Sequence, residues 1–300
     1  MIRVIQHSKI WFVFSATLVT LSLCAFGFWG LRYGIDFTGG SLMEVSFTGQ
    51  RPTNQQIVDV VAPFNVGSVT VQPIGEQGAL LRFKDVTEET HQNILGALRK
   101  NFTAEQPDQL QEMRFESIGP AVGQQLKEKT AWAILLSLIG IILYVAWAFR
   151  KVSQPVSSWK YGLAAVIALF HDVIITIGIF VVLGKLYGLE VNAPFVAALL
   201  TILGYSVNDT IVVFDRIREN LLRRTNHPFE QVVEDSISQT FTRSINTSMT
   251  VLLTLLAILL FGGESIRDFA LALIVGISFG TYSSIFLASP LLVYSAKMKR

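Results

Sequence analysis

Charged residues are scarce in this sequence. Asp, Glu, Lys and Arg make up 15% of its 300 positions, against about 25% in ordinary soluble domains, and that shortage excludes a conventional soluble fold for the whole chain. Cysteine is nearly absent. Cys24 is the only one, so no intramolecular disulfide can form, and its place in an apolar run reads as a small hydrophobe. What is plentiful is apolar: 51% hydrophobic residues, 21 Phe and a mean hydropathy of +0.49. These values describe a polytopic α-helical membrane protein. A net charge of +2 says little until the charges are placed.

Met1 to Lys9 is short and basic, and Ile10 to Leu31 follows as an apolar run of about 22 residues, enough for one span. The run is too long for a signal-peptide core, and Phe26, Phe28 and Trp29 interrupt its small residues, which predicts an uncleaved first helix. Next comes Tyr33-Gly34-Ile35-Asp36-Phe37-Thr38-Gly39-Gly40, where glycines permit tight turns. A polar insert follows to Lys127. Ser41 to Phe47 alternates as a strand. Thr53 to Ala62 reads as a helix with Thr53 as N-cap and Gln56 three residues on. Val66 to Ile74 and Ala79 to Phe83 flank a turn at Gly75–Gly78 as a hairpin. Thr87 to Phe102 is a second helix and Gln111 to Ile118 a fourth strand. The order β-α-β-β-α-β is the ferredoxin-like split motif, and about 95 residues suffice for a domain. The insert has no Cys/His cluster and no phosphate-cradling loop, so binding or coupling fits it better than catalysis.

Further spans are expected at about Ala131–Phe149, Tyr161–Leu183, Ala193–Phe214, Ser244–Phe261 and Phe269–Tyr294. Val122 to Thr130 leads into the second. Pro155 lies in the loop before the third. Asn192 and Pro194 are a start signal for the fourth. Before the fifth, Asn226, His227 and Pro228 open an amphipathic segment with Phe229, Val232, Val233, Ile237 and Phe241 on one face, expected on the membrane surface or the bundle. The chain thus divides into 1–32, the N-terminus with the first span; 33–127, the insert; and 128–300, with the remaining spans. Arg3, Lys9, Arg150, Lys151, Lys160, Arg216, Arg218, Arg223, Arg224, Arg243, Lys297, Lys299 and Arg300 lie on one side of the spans, and the short opposite loops hold only Lys185 and Arg267. The positive-inside rule puts both termini in the cytoplasm and the insert outside.

Three spans carry groups that lipid rejects. His171-Asp172 sits about ten residues, hence about 15 Å, into the third span. Asp209 lies in the inner half of the fourth, with Tyr205 and Ser206 one turn back; Asp215 and Arg216 belong to the boundary beyond it. Arg243 opens the fifth, and Thr247, Thr250 and Thr254 continue its face, with Asn246 alongside. A carboxylate in lipid costs about 2.5–3.5 kcal/mol on insertion scales, so it must face protein or water. If the fourth and fifth helices are neighbours, Asp209 and Arg243 are at a depth to pair. A proton site is one reading. The others are a structural contact for His171-Asp172, packing for the Thr stripe, and snorkelling for Arg243. In the sixth span Gly276, Gly280, Ser284 and Ala288 recur every four residues, a small-residue ridge for close approach of a helix in this bundle or in another protein.

Taken together, Gly34 to Gly40 (with Asp36, Phe37 and Gly39 inside it), Gly204 to Arg216, and Thr242-Arg243-Ser244-Ile245-Asn246-Thr247 resemble the signatures of the SecF family, membrane subunits of bacterial SecD–SecF protein export. The resemblance runs over essentially the whole chain. It implies half of a twelve-helix unit similar to resistance-nodulation-division transporters, with a ferredoxin-like periplasmic domain, in the inner membrane. It further implies a SecD-like partner, work beside the SecYEG channel, and use of the proton motive force on a translocating preprotein. Asp209 and Arg243 would belong to the proton path, with Asp172 and His171 as further candidates. No cofactor, metal or nucleic acid is expected, and the bilayer is the remaining partner. Two other classes compete. A proton-driven exporter of small molecules needs a larger porter domain than 33–127. An intramembrane aspartyl protease using Asp172 and Asp209 needs carboxyls that share a proton, and Ser206-Val207-Asn208-Asp209 stands where Gly-x-Gly-Asp would be.

Overall fold

The computed structural model describes residues 3–103, 109–149, 156–223 and 227–297. Of the residues discussed above, Arg150, Lys151, Pro155, Arg224, Asn226, Lys299 and Arg300 lie outside that set. The chain forms two compact units, residues 33–130 and residues 1–32 with 131–300.

In the first unit the elements are α2 (Ile35–Thr38), β1 (Gly40–Phe47), α3 (Asn54–Val61), β2 (Thr70–Ile74), β3 (Gly78–Phe83), α4 (Glu88–Phe102) and β4 (Leu110–Ile118). The antiparallel sheet runs in the order β2-β3-β1-β4, the ferredoxin-like arrangement. Alternation makes β1 two-faced: Met43, Val45 and Phe47 point into a core shared with Ile57, Leu81 and Ile94. A bulge at Glu44/Val45 shifts the register against β4. Thr53 closes a full capping box with Gln56, its backbone N–H donating to Oε1 at 2.8 Å, and Thr87 caps α4. The second strand is shorter than expected. Val66 is buried, yet Gly67 turns the chain at φ +73° and pairing begins only at Thr70.

The Gly34–Gly40 segment is a single helical turn closed by two glycines in left-handed backbone, Gly39 at φ +72° and Gly40 at φ +121°. A Cβ on Gly39 would lie 2.8 Å from Pro120 Cα, and one on Gly40 2.9 Å from the Phe83 carbonyl. Glycine is therefore required twice over, by conformation and by space.

The long helices are α1 (Ser8–Trp29), α5 (Pro120–Ala148), α6 (Ser158–Tyr187), α7 (Ala193–Arg223), α8 (Phe229–Phe261) and α9 (Glu264–Ser283); all belong to the second unit except the first part of α5, up to Thr130, which is counted with the first. α9 passes through a π-helical turn, Ser284–Ala288, into α10 (Ser289–Lys297). That turn precedes Pro290, which has no N–H for the helical ladder and crowds the carbonyl four residues back; the wider turn absorbs both defects. Among the described residues six helices have the length and apolarity to cross a membrane. The Asn192 side chain accepts from Phe195 N–H at 3.0 Å and caps α7.

Several boundaries differ from the sequence expectation. The fourth span does not stop at Phe214: α7 continues to Arg223, so Asp215 and Arg216 are helical rather than part of a loop. The amphipathic segment 229–241 is not separate from the fifth span: α8 runs unbroken for 33 residues. Nothing between Thr240 and Ser244 is Gly or Pro, so the hydrogen-bond ladder has no reason to stop. Likewise the 122–130 lead-in is the first part of α5, which starts at Pro120. The spans are unequally enclosed. Half of the apolar window of α6 and of α7 is buried, against 6% for α5 and 17% for α8.

Candidate functional site

The centre of the helical unit is a polar seam between α6, α7, α8 and α9. The small-residue ridge builds it. Gly276 faces the Ile202 side chain, and a Cβ on Gly280 would lie 3.2 Å from Ser206 Cβ. Ser284 meets Thr210, hydroxyl to hydroxyl, at 2.8 Å. Positions 276, 280 and 284 thus face 202, 206 and 210, each set spaced by one helical turn, so the backbones approach and hydroxyls reach across.

Asp172 is fully buried. The hydroxyls of Ser206 (2.6 Å) and Ser283 (2.8 Å) both donate to its Oδ2, and His171 Nδ1 lies 2.9 Å from Oδ1. A buried carboxylate without such partners would be prohibitively costly. Hydrogen bonds to a charged group contribute about 1.5–3 kcal/mol each. The His171 ring stacks near Tyr282, with centroids 6.0 Å apart, while its Nε2 is buried without a hydrogen bond. Tyr282 continues outward, its hydroxyl bonding the carbonyl of Trp11 and the hydroxyl of Ser15 on α1.

Asp209 is served differently. It is 8% exposed, and Ser244 of α8 donates to Oδ1 at 2.6 Å. Its Oδ2 is buried and has no hydrogen bond among the described residues. The Ser284 hydroxyl is beside this carboxylate but bonds the Gly280 carbonyl at 2.9 Å. Farther along, Ser248 links Thr281 (2.5 Å) and Tyr205 (3.5 Å). The two carboxylates therefore share one seam, with Ser206 on α7 between them.

The expected Asp209–Arg243 pair does not form. Arg243 is exposed, and among the described residues no ion pair joins it to Asp209. The reason is angular. Each residue turns a helix by about 100°, so Ser244, next in sequence, faces α7 while Arg243 faces away. Asn246, Thr247, Thr250 and Thr254 are exposed with it, and the three threonine hydroxyls bond backbone carbonyls of their own helix. So the structure brings together His171, Asp172, Asp209, Gly276, Gly280 and Ser284, and leaves Arg243 outside. Gly34, Asp36, Phe37, Gly39 and Gly40 belong to the other unit. Sequence reasoning passed over Ser244, Ser248, Thr281 and Ser283. The clue was available: Ser244 and Ser248 repeat at four residues, offset by one from Arg243 and Thr247. No group of three or more His, Cys, Asp or Glu suited to a metal ion occurs among the described residues.

Two family models match. Residues 25–50 match the SecD/SecF GG motif, and residues 98–298 match the C-terminal region of the protein-export membrane proteins SecD and SecF. The chain is 42% identical to protein translocase subunit SecF of Thermobaculum terrenum, over 98% of its own length and 93% of that protein. It is 41% identical to the SecF subunit of Desulfurispirillum indicum, over 93% and 87%. Among solved structures it resembles SecDF of Thermus thermophilus, a translocon-associated membrane protein, with a TM-score of 0.81 and 34% identity. That match covers 99% of this chain but 38% of the SecDF chain. The small-molecule exporter and the aspartyl protease find no support among these relatives. The chain belongs to the SecD/SecF family of protein-export membrane proteins, on its SecF side.

Proposed function

We propose that this chain is a proton-coupled SecF-type subunit of the Sec export machinery. In this reading it pairs with a SecD-like membrane subunit and works at the SecYEG channel, where it uses the proton motive force to promote late steps of preprotein translocation. The observation that carries the proton role is Asp209: a nearly buried carboxylate that accepts from Ser244 on one oxygen and, among the described residues, has no hydrogen bond on the other, on a seam with a second carboxylate, Asp172. Such a group has a use for a proton that an ordinary packing contact lacks. Asp209 takes a proton from the outer side and passes it inward, and Asp172 with His171 forms the second station. The change of charge alters which hydroxyls hold α7 against α8 and α9.

Arg243 enters this reading through the partner. An arginine, an asparagine and three threonines exposed on one face of a spanning helix suit protein far better than lipid. The SecDF chain contains more than twice the length matched here, room for the other half. Both termini are cytoplasmic and residues 33–127 form a periplasmic domain, by the distribution of basic residues.

The test is Asp209→Asn, which keeps shape and removes titration. Export that depends on the proton gradient should fall to the level without the subunit, while the SecD-like partner still co-purifies. Normal export by that variant in cells refutes the proton role.

A further inference from the structure

Both carboxylates are served by adjacent residues of one helix end. Ser283 donates to Asp172 Oδ2 at 2.8 Å, and it also lies 3.1 Å from the carbonyl of Gly280. Ser284 donates to that same carbonyl at 2.9 Å while sitting beside Asp209. The backbone N–H of Ser284 is directed at it too. A carbonyl has two lone pairs, so Gly280 is over-subscribed, and its occupancy depends on where Ser283 puts its single proton. An ionised carboxylate is the stronger acceptor, so Ser283 turns to Asp172 while that group is charged. Once Asp172 is neutral, Ser283 returns to Gly280 and competes with the Ser284 hydroxyl. The displaced hydroxyl has two acceptors in reach: Thr210 Oγ1, already 2.8 Å away, and Asp209 Oδ2, which has no hydrogen bond among the described residues; an ionised carboxylate is the stronger acceptor of the two. Ser284 opens the π-helical turn, a backbone geometry with slack for such a shift.

We propose that the Gly280 carbonyl couples the two carboxylates through Ser283 and Ser284, so that neutralising Asp172 supplies ionised Asp209 with a hydrogen bond. Ser283 and Ser284 are positioning residues. The inference rests on the proton role of Asp209 and gives it a partner: a proton on one carboxylate favours its absence from the other. Like charges on one seam push the same way through space, so the experiment must separate the two routes. The other titratable groups around the seam are His171 on α6, facing Asp172, with Tyr282 of α9 stacked on it, and Tyr205 of α7, bonded to Ser248. Arg243 of α8 and Lys9, the charged residue of α1, are exposed.

Infrared difference spectra between high and low pH read each carboxyl by its C=O stretch. They are recorded on the full chain reconstituted in lipid vesicles with a SecD-type partner, with D209N and D172N assigning the bands. In D172N the titration midpoint of the Asp209 band should fall by about one pH unit. S284A should abolish most of that displacement. S283A, which removes the competitor instead, should do the same, and S284T should restore it. A displacement that survives unchanged in S283A or in S284A means the carboxylates couple through space alone and overturns the proposal. If D209N removes no band, Asp209 does not titrate, and the proton reading falls together with the coupling built on it.

Discussion

Helix α8 has two polar faces, and they differ in what they touch. On one, Ser244 donates to Asp209 and Ser248 bonds Thr281, both hydroxyls buried. On the other, Arg243, Asn246, Thr247, Thr250 and Thr254 are exposed. The faces are offset by one residue, about 100° of helix. By composition the exposed face is the more polar, yet it is the inner one that meets a buried carboxylate, Asp209. The difference teaches that in this bundle buried carboxylates are held by hydroxyl donors from neighbouring helices, whereas the basic and hydroxyl-rich stripe is left outside the chain's own packing.

The comparison breaks most readily at its centre. Asp172→Ala leaves the Ser206 and Ser283 hydroxyls and His171 without their shared acceptor. Each buried polar group left without its partner costs about 1–3 kcal/mol, to be read as a lowered thermal unfolding midpoint of the purified chain in detergent. An unchanged midpoint would mean that the seam is not what holds α6 against α7 and α9. Ser244→Ala removes the hydroxyl that donates to Asp209 Oδ1 and should cost about 1.5–3 kcal/mol in the same assay, with a matching loss of export activity. On the opposite face, Arg243→Gln in the isolated chain should change stability by no more than about 0.5 kcal/mol. The same change should reduce how much SecD-like partner is retained on purification. If Arg243→Gln destabilises the isolated chain as much as Ser244→Ala, the two faces are not distinct in kind.

Much of this was legible in the sequence. Alternation over residues 41–47, the Thr53–Gln56 box and the Gly75–Gly78 turn specify local geometry, and local geometry survives folding; the β-α-β-β-α-β order followed from them. The spacing of Gly276, Gly280 and Ser284 announced a close helix contact, though not with which helix. What escaped was angular and long-range. Arg243 and Ser244 are indistinguishable by depth, and only the packing of α8 against α7 decides which one reaches Asp209. Ser283 looks like any hydroxyl in a spanning helix until Asp172, 111 residues away, lies across from it. The unity of α8 was missed because a polar stretch before an apolar one suggests a boundary, although no residue there breaks a helix. Nothing in the sequence singled out His91. It is buried, stacked on Phe115 with centroids 3.6 Å apart, and held between Glu112 (2.5 Å) and Glu88 (3.1 Å).

The weakest effect is expected where a carboxylate is exposed, and Glu88 provides it. Like Asp172 it draws on a histidine and a second side chain: Gln92 Nε2 donates to Oε1 at 2.7 Å and His91 Nδ1 lies 3.1 Å from it. Unlike Asp172 it stands in water. The Gln92 hydrogen bond, then that to His91, holds its acidity constant below the ordinary value of 4.5. The sign follows from linkage. A carboxyl with a depressed folded-state value stabilises the fold above its unfolded value, and that contribution disappears as pH falls through the depressed one. Glu88→Gln should therefore lower the unfolding midpoint of the full chain slightly at neutral pH, and the gap to wild type should close once the pH is well below 4.5. Added salt should shrink the neutral-pH gap, because solvent and ions screen an exposed charge; the Asp172→Ala effect, set in a dry seam, should hardly respond. A Glu88→Gln gap as large and as salt-resistant as that of Asp172→Ala would mean that burial is not what separates the two carboxylates.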